Sequence, residues 1–253
     1  MINYKKVAVV LPAYNASKTL AKVIHKIPHQ VVDDIIVVDD HSLDDTVKVA
    51  HELKLTVFIH EKNMGYGANQ KTCFQQALLR GNDIIVMLHP DYQYAPELVS
   101  SLAYMVSSEI YDIALGSRML GKNALSGGMP IHKIIINKFL TFIQNTFLNQ
   151  NLSEYHTGFR AYSKKILNTI PFMNNSDDFI FDNEILLQAF YHGFKIGEIS
   201  CPTKYDQNSS SIGLRKGIVY AFCVIIRTFQ YLLAKYNIVY FSYFRPIEHG
   251  RVF

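Results

Sequence analysis

Along the first 120 or so residues, short apolar runs alternate with stretches in which apolar positions recur every three or four residues. Residues 6–11, 34–39, 56–59, 84–89 and 113–117 are apolar runs bounded by charged or turn residues, as in strands buried on both faces of a parallel sheet. Helical spacings lie between them. Ser17 can cap a helix whose apolar face is Leu20, Val23, Ile24 and Ile27, and Asp44 or Asp45 can cap a second through Leu53. Further helices are expected up to Leu79 and over 98–106. This alternation indicates an α/β fold, a mostly parallel central sheet with helices on both faces.

After Arg118 the pattern changes. Residues 121–130 are glycine-rich without apolar periodicity, as in a mobile loop that closes over a substrate. Helical spacing resumes over 131–148 with a greasy face of Ile135, Ile136, Phe139, Leu140, Phe142, Ile143 and Phe147. Residues 154–162 read as a short return strand, 182–191 as a helix, 195–201 as a strand and 204–213 as a polar loop. With no internal repeat and no clear linker, residues 1–212 are expected to form one domain and 213–253 an amphipathic helical extension.

That extension bears on where the protein works. Its longest apolar region, 217–234, is interrupted by Arg227, which leaves ten uncharged residues from 217 to 226. A spanning helix needs roughly 20 apolar residues, and a central Arg costs about 2.5–3.5 kcal/mol, so the segment is not expected to cross a membrane. Arg215, Lys216, Arg227, Lys235, Arg245 and Arg251 are spaced among aliphatic, Tyr and Phe residues, which suits a peripheral helix at a lipid interface. A packed helix with a homo-oligomer contact fits equally well.

Composition narrows the class. An apolar fraction of 49% with 18% charge is globular, and a net charge of +4 without a basic stripe argues against nucleic acid. Three widely separated cysteines give neither a disulfide framework nor a zinc site, so a reducing, cytoplasmic compartment is expected. The apolar run at 7–11 is too short for a signal peptide and stops at Pro12.

Carboxylates stand at the ends of two of the buried strands: Asp39 and Asp40, then Asp91. On a parallel sheet these ends share the edge where open α/β sheets bind ligands. Adjacent acids there repel unless a cation or donors satisfy them, and Asp91 is read as holding a metal ion against a diphosphate. Gly65 and Gly67 resemble a phosphate cradle, but the complete dinucleotide and Walker patterns are absent, and a glycine turn opening a helix fits as well.

Val10-Leu-Pro-Ala-Tyr-Asn15, Ile36-Val-Val-Asp-Asp-His-Ser42, Asn63-Met-Gly-Tyr-Gly-Ala-Asn69, Leu88-His-Pro-Asp-Tyr-Gln93 and Ala114-Leu-Gly-Ser-Arg118 occur in that order. Thr157-Gly-Phe-Arg-Ala-Tyr162 and Glu198-Ile-Ser-Cys-Pro-Thr-Lys-Tyr205 follow. Together they resemble family 2 glycosyltransferases, and are most similar to the dolichyl- and polyprenyl-phosphate sugar transferase branch. The resemblance implies a GT-A fold and inverting transfer from a nucleotide-diphosphate sugar to a lipid-linked or cell-envelope glycan acceptor, at the inner face of the cell membrane. It places Pro12, Ala13, Tyr14 and Asn15 in the nucleoside pocket, Asp39 and Asp40 at the base or ribose, and Asn63, Gly65, Gly67 and Asn69 beside them. His89, Pro90, Asp91 and Gln93 would form the metal–diphosphate stretch. Asp91 is the last acid of the family's Asp-x-Asp, and His89 stands in place of the first. A neutral imidazole ligates Mn²⁺ and suits Mg²⁺ poorly; the alternative is that His89 donates a hydrogen bond to phosphate.

A leaving nucleoside diphosphate gathers negative charge, and Arg118 and Arg160 are the candidates to stabilise it, joined by Arg215 or Lys216 if the loop closes. Transfer to a hydroxyl needs a general base, for which Glu154, Asp182 and Glu184 are candidates; an ionised lipid phosphate needs none. Two other readings compete: a non-catalytic nucleotide- or sugar-binding regulator, and a sugar-phosphate nucleotidyltransferase. The latter should carry a glycine-rich, basic loop after its first strand, and Pro12-Ala-Tyr-Asn15 is not one.

Overall fold

The computed structural model describes residues 1–121, 123–205 and 213–245. Its first half follows the alternation: β1 (Val7–Ala13), α1 (Leu20–Lys26), β2 (Asp34–Asp39), α2 (Thr46–Glu52), β3 (Thr56–Ile59), α3 (Tyr66–Leu79), β4 (Ile84–Met87), α4 (Val99–Ser107) and β5 (Ile113–Ser117). Then come α5 (Asn123–Ser126), α6 (Ile131–Leu148), β6 (Arg160–Ser163), α7 (Lys164–Thr169), α8 (Phe181–Tyr191), β7 (Ile196–Ser200) and α9 (Leu214–Lys235). Among the described residues the strands form one sheet of order β3-β2-β1-β4-β6-β5-β7. All pairs are parallel except those of β6, which runs antiparallel to β4 and β5.

The apolar runs are continuous because both faces of the sheet are covered. Ala8, Val10, Ile36, Val38, Ile85 and Met87 pack with residues of α3 and α8. Val7, Val9, Leu11, Val37, Ile84 and Val86 pack with α1, α2 and α4 on the opposite face. Successive side chains point to opposite faces of a strand, so neither face can be polar. The inverted β6 starts at the edge where its parallel neighbours end, with Arg160 opposite both Met87 and Leu115. That reversal brings residues 154–160 to the ligand edge.

Several boundaries differ from the sequence reading. β1 continues through Pro12, which pairs with Val38. Its missing N–H is tolerated because the β1–β4 ladder already ends at Val10–Met87. Ser17 does not cap α1; its hydroxyl donates to Asp44, which also accepts from the Thr46 N–H at the start of α2. The return strand is only Arg160–Ser163, and residues 154–159 form a loop held by side chains. The expected loop 121–130 contains α5, buries Ala124 and Met129, and accepts the Tyr205 N–H at the Gly127 carbonyl. Most of the polar stretch 204–213, including the boundary drawn at 212, lies outside the described residues, as does Arg251.

α6 is turned the opposite way from an ordinary surface helix. Asn137, Thr141 and Gln144 face inward, while Ile135, Ile136, Phe139, Phe142 and Phe147 are exposed. The inward amides are needed: Asn137 Nδ2 donates to Glu154, and Gln144 bonds Asn183 of α8 and Thr228 of α9. α9 is anchored by Val224, Thr228, Tyr231 and Ala234, and by Arg227 Nε at 2.7 Å from the buried Glu184 carboxylate. By length and composition Arg215–Lys235 is long and apolar enough to cross a membrane, but here it lies along the domain against α6 and α8.

The Arg227→Ala variant leaves the buried Glu184 side chain with the Ser176 N–H as its remaining hydrogen-bond donor among the described residues. A loss of about 2–3 kcal/mol is expected in urea unfolding. An unchanged midpoint would show that α9 is not anchored by this pair.

Candidate active site

The ends of β1, β2, β4 and β5 and the start of β6 converge on one crevice. On the side expected to take the nucleotide, Asn15 has φ 51° and accepts the Leu43 N–H at Oδ1, while its own N–H donates to Ser42. Tyr14 is exposed. Asp39 accepts from the N–H and hydroxyl of Ser42, which shapes the turn after β2. The Asp40 carboxylate accepts from Met64 N (2.7 Å), Gly65 N (3.0 Å) and His60 Nδ1 (2.7 Å). The repulsion expected between these acids is thus met by donors of the protein itself. Asn63 donates to the Asp40 carbonyl, and Asn69, at the start of α3, donates to the Val38 carbonyl.

Gly65 and Gly67 are set by packing. Gly65 has φ +101°, and a Cβ on Gly67 would lie 2.4 Å from the Ser176 carbonyl oxygen. The Gly67 N–H donates to the Asp177 carbonyl at 2.7 Å, so this turn is closed by protein rather than shaped as an open phosphate cradle.

On the other side stands a constellation that the motifs did not reveal. Tyr66, the first residue of α3, donates its hydroxyl to Asp182 Oδ2 at 2.6 Å and lies 3.1 Å from His89 Nε2. Its ring stacks on His89 and packs against Phe179, with centroids 5.5 and 4.8 Å away. Because the hydroxyl hydrogen goes to Asp182, the Tyr66 oxygen accepts from His89, which puts the imidazole proton on Nε2. Burial lowers the His89 pKa, and Arg160 and Arg118 add to this against the opposing pull of Asp91 and Asp182. The lowered pKa favours the neutral ring, and with the proton on Nε2 the lone pair lies at Nδ1. Gly158 makes this placement possible, since a Cβ there would sit 2.4 Å from His89 Nε2. The Gly158 N–H donates to the Tyr94 hydroxyl.

The three candidate bases have different surroundings. Glu154 is fully buried and accepts from Arg118 N, Nε and Nη2 and from Asn137. Burial works to raise its pKa, but Arg118 outweighs it and holds the carboxyl below the usual range. Glu184 points to Ser176 and Arg227, away from the crevice. Asp182 alone keeps a buried oxygen, Oδ1, with no hydrogen-bond partner among the described residues. Asp91 Oδ1 accepts the Gln93 N–H, and the Gln93 carbonyl accepts from Lys204; Pro90 is buried between His89 and Asp91.

The arginines differ from expectation as well. Arg160 is completely buried and donates to the carbonyls of Thr157, Asp182 and Tyr155. It positions the 155–157 loop and Asp182 instead of facing a diphosphate. Arg118 lies over the Tyr94 ring and donates to Glu154, to the His156 carbonyl and to the Tyr205 hydroxyl. Its charge is fixed on the crevice wall. Lys216 Nζ lies 5.8 Å from the Phe179 ring centre, which brings α9 to the rim.

His156 Nδ1 is hydrogen-bonded to the Tyr220 hydroxyl of α9 at 2.8 Å. Burial, with Arg118 and Arg160 nearby, depresses its pKa to about 3 against the pull of Glu154. Unfolded, the same ring takes a proton near the ordinary 6.5, so the unfolded state binds more protons between these values. Stability falls as pH drops through that window, by up to about 1.4 kcal/mol per pH unit from this group. His156→Gln is expected to show a shallower fall in urea-unfolding free energy between pH 6.5 and 3 than the parent. Equal slopes would contradict a neutral His156.

Residues 8–170 match the profile described as Glycosyl transferase family 2. An uncharacterized protein of Methanocaldococcus jannaschii is 33% identical over 212 residues, 84% of this chain and 87% of its own. The UDP-N-acetylglucosamine–dolichyl-phosphate N-acetylglucosaminyltransferase of Methanococcus voltae is 27% identical, over 83% of this chain and 90% of its own. The polyprenol monophosphomannose synthase of Mycolicibacterium smegmatis is 27% identical, over 84% and 82%. Among solved structures, glucosyl-3-phosphoglycerate synthase of Mycobacterium tuberculosis, in complex with Mn²⁺, UDP and phosphoglyceric acid, superposes with a TM-score of 0.68 at 19% identity. It covers 94% of this chain and 80% of its own, and it establishes the GT-A fold. With the profile spanning more than half its length, this chain belongs to glycosyltransferase family 2 and is a transferase.

Proposed function

We propose that this enzyme moves a sugar, with inversion, from a UDP- or GDP-sugar to a polyprenyl-phosphate or related lipid-linked acceptor at the inner face of the cell membrane. The observation that carries the reading is the crevice where Asp91 and His89 stand just after β4 and Tyr66 links His89 to Asp182, whose buried Oδ1 has no hydrogen-bond partner among the described residues. Among the described residues no three His, Cys, Asp or Glu side chains are grouped to hold a metal. A divalent ion would therefore be held by Asp91 with His89 beside it and completed by the diphosphate, and the imidazole favours Mn²⁺ over Mg²⁺. When bound, the ion neutralises charge on the departing diphosphate.

The protein's own groups do the rest. Pro12, Ala13, Tyr14 and Asn15 line the nucleoside pocket, while Asp39 and Asp40 shape its loops through the bonds to Ser42, Met64 and Gly65. Arg118, held by Glu154, supplies preorganised positive charge where the diphosphate or acceptor phosphate lies, with no reorganisation needed during the reaction. An ionised lipid phosphate attacks without a base. For a hydroxyl acceptor, Asp182 is the one of the three candidates with an oxygen left to take the proton. Tyr66 positions both residues, donating its hydroxyl hydrogen to Asp182 and accepting from His89 Nε2.

Two measurements test this. In thermal-shift assays with UDP, GDP, CDP and dTDP, one nucleotide is expected to raise Tm selectively in the presence of Mn²⁺, and Asp91→Ala is expected to lose that shift along with at least about 100-fold in donor turnover. No shift with any nucleotide, or full turnover in Asp91→Ala, would overturn the assignment. Tyr66→Phe keeps the ring stack but removes the hydroxyl. Its kcat is expected to fall about tenfold with little change in nucleotide affinity, and an unaltered pH–rate profile would exclude Tyr66 as a positioning residue.

A further inference from the structure

The loop between Glu154 and Arg160 carries one polar ring that the proposed transfer leaves unused, that of His156. Sheet order puts β5 and β6 across β4 from β1 and β2, so this loop lies on the opposite side of β4 from the turns at Asn15 and Asp40. The His156 ring meets Tyr220 of α9 edge-on, with centroids 5.6 Å apart and Nδ1 2.8 Å from the hydroxyl. Tyr220 in turn packs with Leu140 of α6, Ile180 at the start of α8 and Val224 of α9, so three helices fix its hydroxyl. The other ring nitrogen, Nε2, is buried and has no hydrogen-bond partner among the described residues.

The pair of bonds open to this ring decides which nitrogen carries the proton. Burial keeps the Tyr220 phenol protonated, with Asp182 reinforcing this against Arg160 and Arg118. Its hydrogen needs an acceptor, and among the described residues Nδ1 of His156 is its partner. Donation to Nδ1 places the imidazole proton on Nε2, whereas the reverse would strand the phenol hydrogen as well as Nε2. A buried N–H without an acceptor calls for an oxygen from a ligand.

The surrounding charge selects that oxygen. Arg118 donates to the His156 carbonyl, and its bonds to Glu154 and the Tyr205 hydroxyl bring four of its five N–H groups into use, leaving one on Nη1 among the described residues. Glu154 is already neutralised by Arg118. A neutral N–H beside a guanidinium suits an anion with several oxygens, since hydrogen bonds to a charged acceptor are about twice as strong as neutral ones.

We propose that His156 reads a phosphate monoester on the acceptor through Nε2–H, with Tyr220 as the residue that positions its ring. The proposal rests on transfer to a phosphate-bearing acceptor. It makes His156 a specificity residue on the side of the crevice away from the nucleotide, and it gives α9 a part in acceptor choice through Tyr220, which does not itself touch the phosphate.

The probes are farnesyl phosphate, farnesol and glycerol 3-phosphate, titrated calorimetrically into the full chain with and without nucleotide. The parent is expected to bind farnesyl phosphate and not farnesol. His156→Leu is expected to bind farnesyl phosphate at least about tenfold more weakly, and His156→Gln, whose amide offers a donor near the place of Nε2, to stay within about threefold of the parent. Tyr220→Phe is expected to weaken binding by about threefold or more. The nucleotide-induced Tm shift checks that each variant is folded. Side-chain ¹⁵N spectra of the parent need no variant to fold except His156→Gln, which assigns the signal by its loss: the proton is expected on Nε2, and that resonance is expected to move with farnesyl phosphate. A proton on Nδ1, an unmoved resonance, undiminished binding in His156→Leu, or equal losses in the Leu and Gln variants would each overturn the role of His156. Glycerol 3-phosphate bound as well as farnesyl phosphate, and weakened alike by His156→Leu, would support that role and sink the lipid acceptor alone. A nucleotide shift without binding of either phosphate probe would overturn the inference and leave the transferase reading standing.

Discussion

The buried ion pair between Arg118 and Glu154 holds the crevice together. A carboxylate with no solvent exposure is costly unless its lone pairs are met, and here Arg118 meets it through its backbone N–H and two guanidinium nitrogens. Asn137 supplies a further donor, which is why α6 turns its amide face inward. The same arginine bonds the His156 carbonyl and the Tyr205 hydroxyl. One charge pair therefore ties the end of β5 to the loop before β6, to α6 and to the segment after β7.

A division of labour among like residues follows from this arrangement. Of the three acids, Glu154 is saturated by Arg118 and Glu184 is occupied with Arg227, whereas Asp182 keeps one oxygen without a hydrogen-bond partner among the described residues. Of the two arginines, Arg160 satisfies backbone carbonyls while Arg118 remains on the crevice wall. Neither distinction can be made from residue type, because both roles need the same charge. They differ only in which partners come within hydrogen-bond reach.

The same bonds determine which way the C-terminal helices face. Drawing Asn137, Thr141 and Gln144 inward forces the aliphatic and aromatic residues of α6 outward. In α9 the Glu184–Arg227 pair and the Gln144–Thr228 contact join the buried Val224, Tyr231 and Ala234 in setting which face meets the domain. An apolar surface that would ordinarily mark a core thus lies on the outside as a consequence of satisfying polar groups behind it.

The α/β alternation, the strand ends carrying Asp39, Asp40 and Asp91, and the ordered motifs were legible in the amino-acid sequence, because periodicity and strand-end chemistry are local properties. The antiparallel insertion of β6 was not, since strand direction depends on non-local pairing with β4 and β5. Tyr66 was hidden inside a glycine turn, and only the approach of α8 to the start of α3 brings its hydroxyl to both Asp182 and His89. His89 itself read as an ambiguous replacement for an acid. Its neutrality and tautomer come from burial and from that hydroxyl, which are set by packing. Helical spacing identified the greasy stripe of α6, but a stripe has no inside or outside until the polar side of the helix finds its partners; that choice belonged to the tertiary structure.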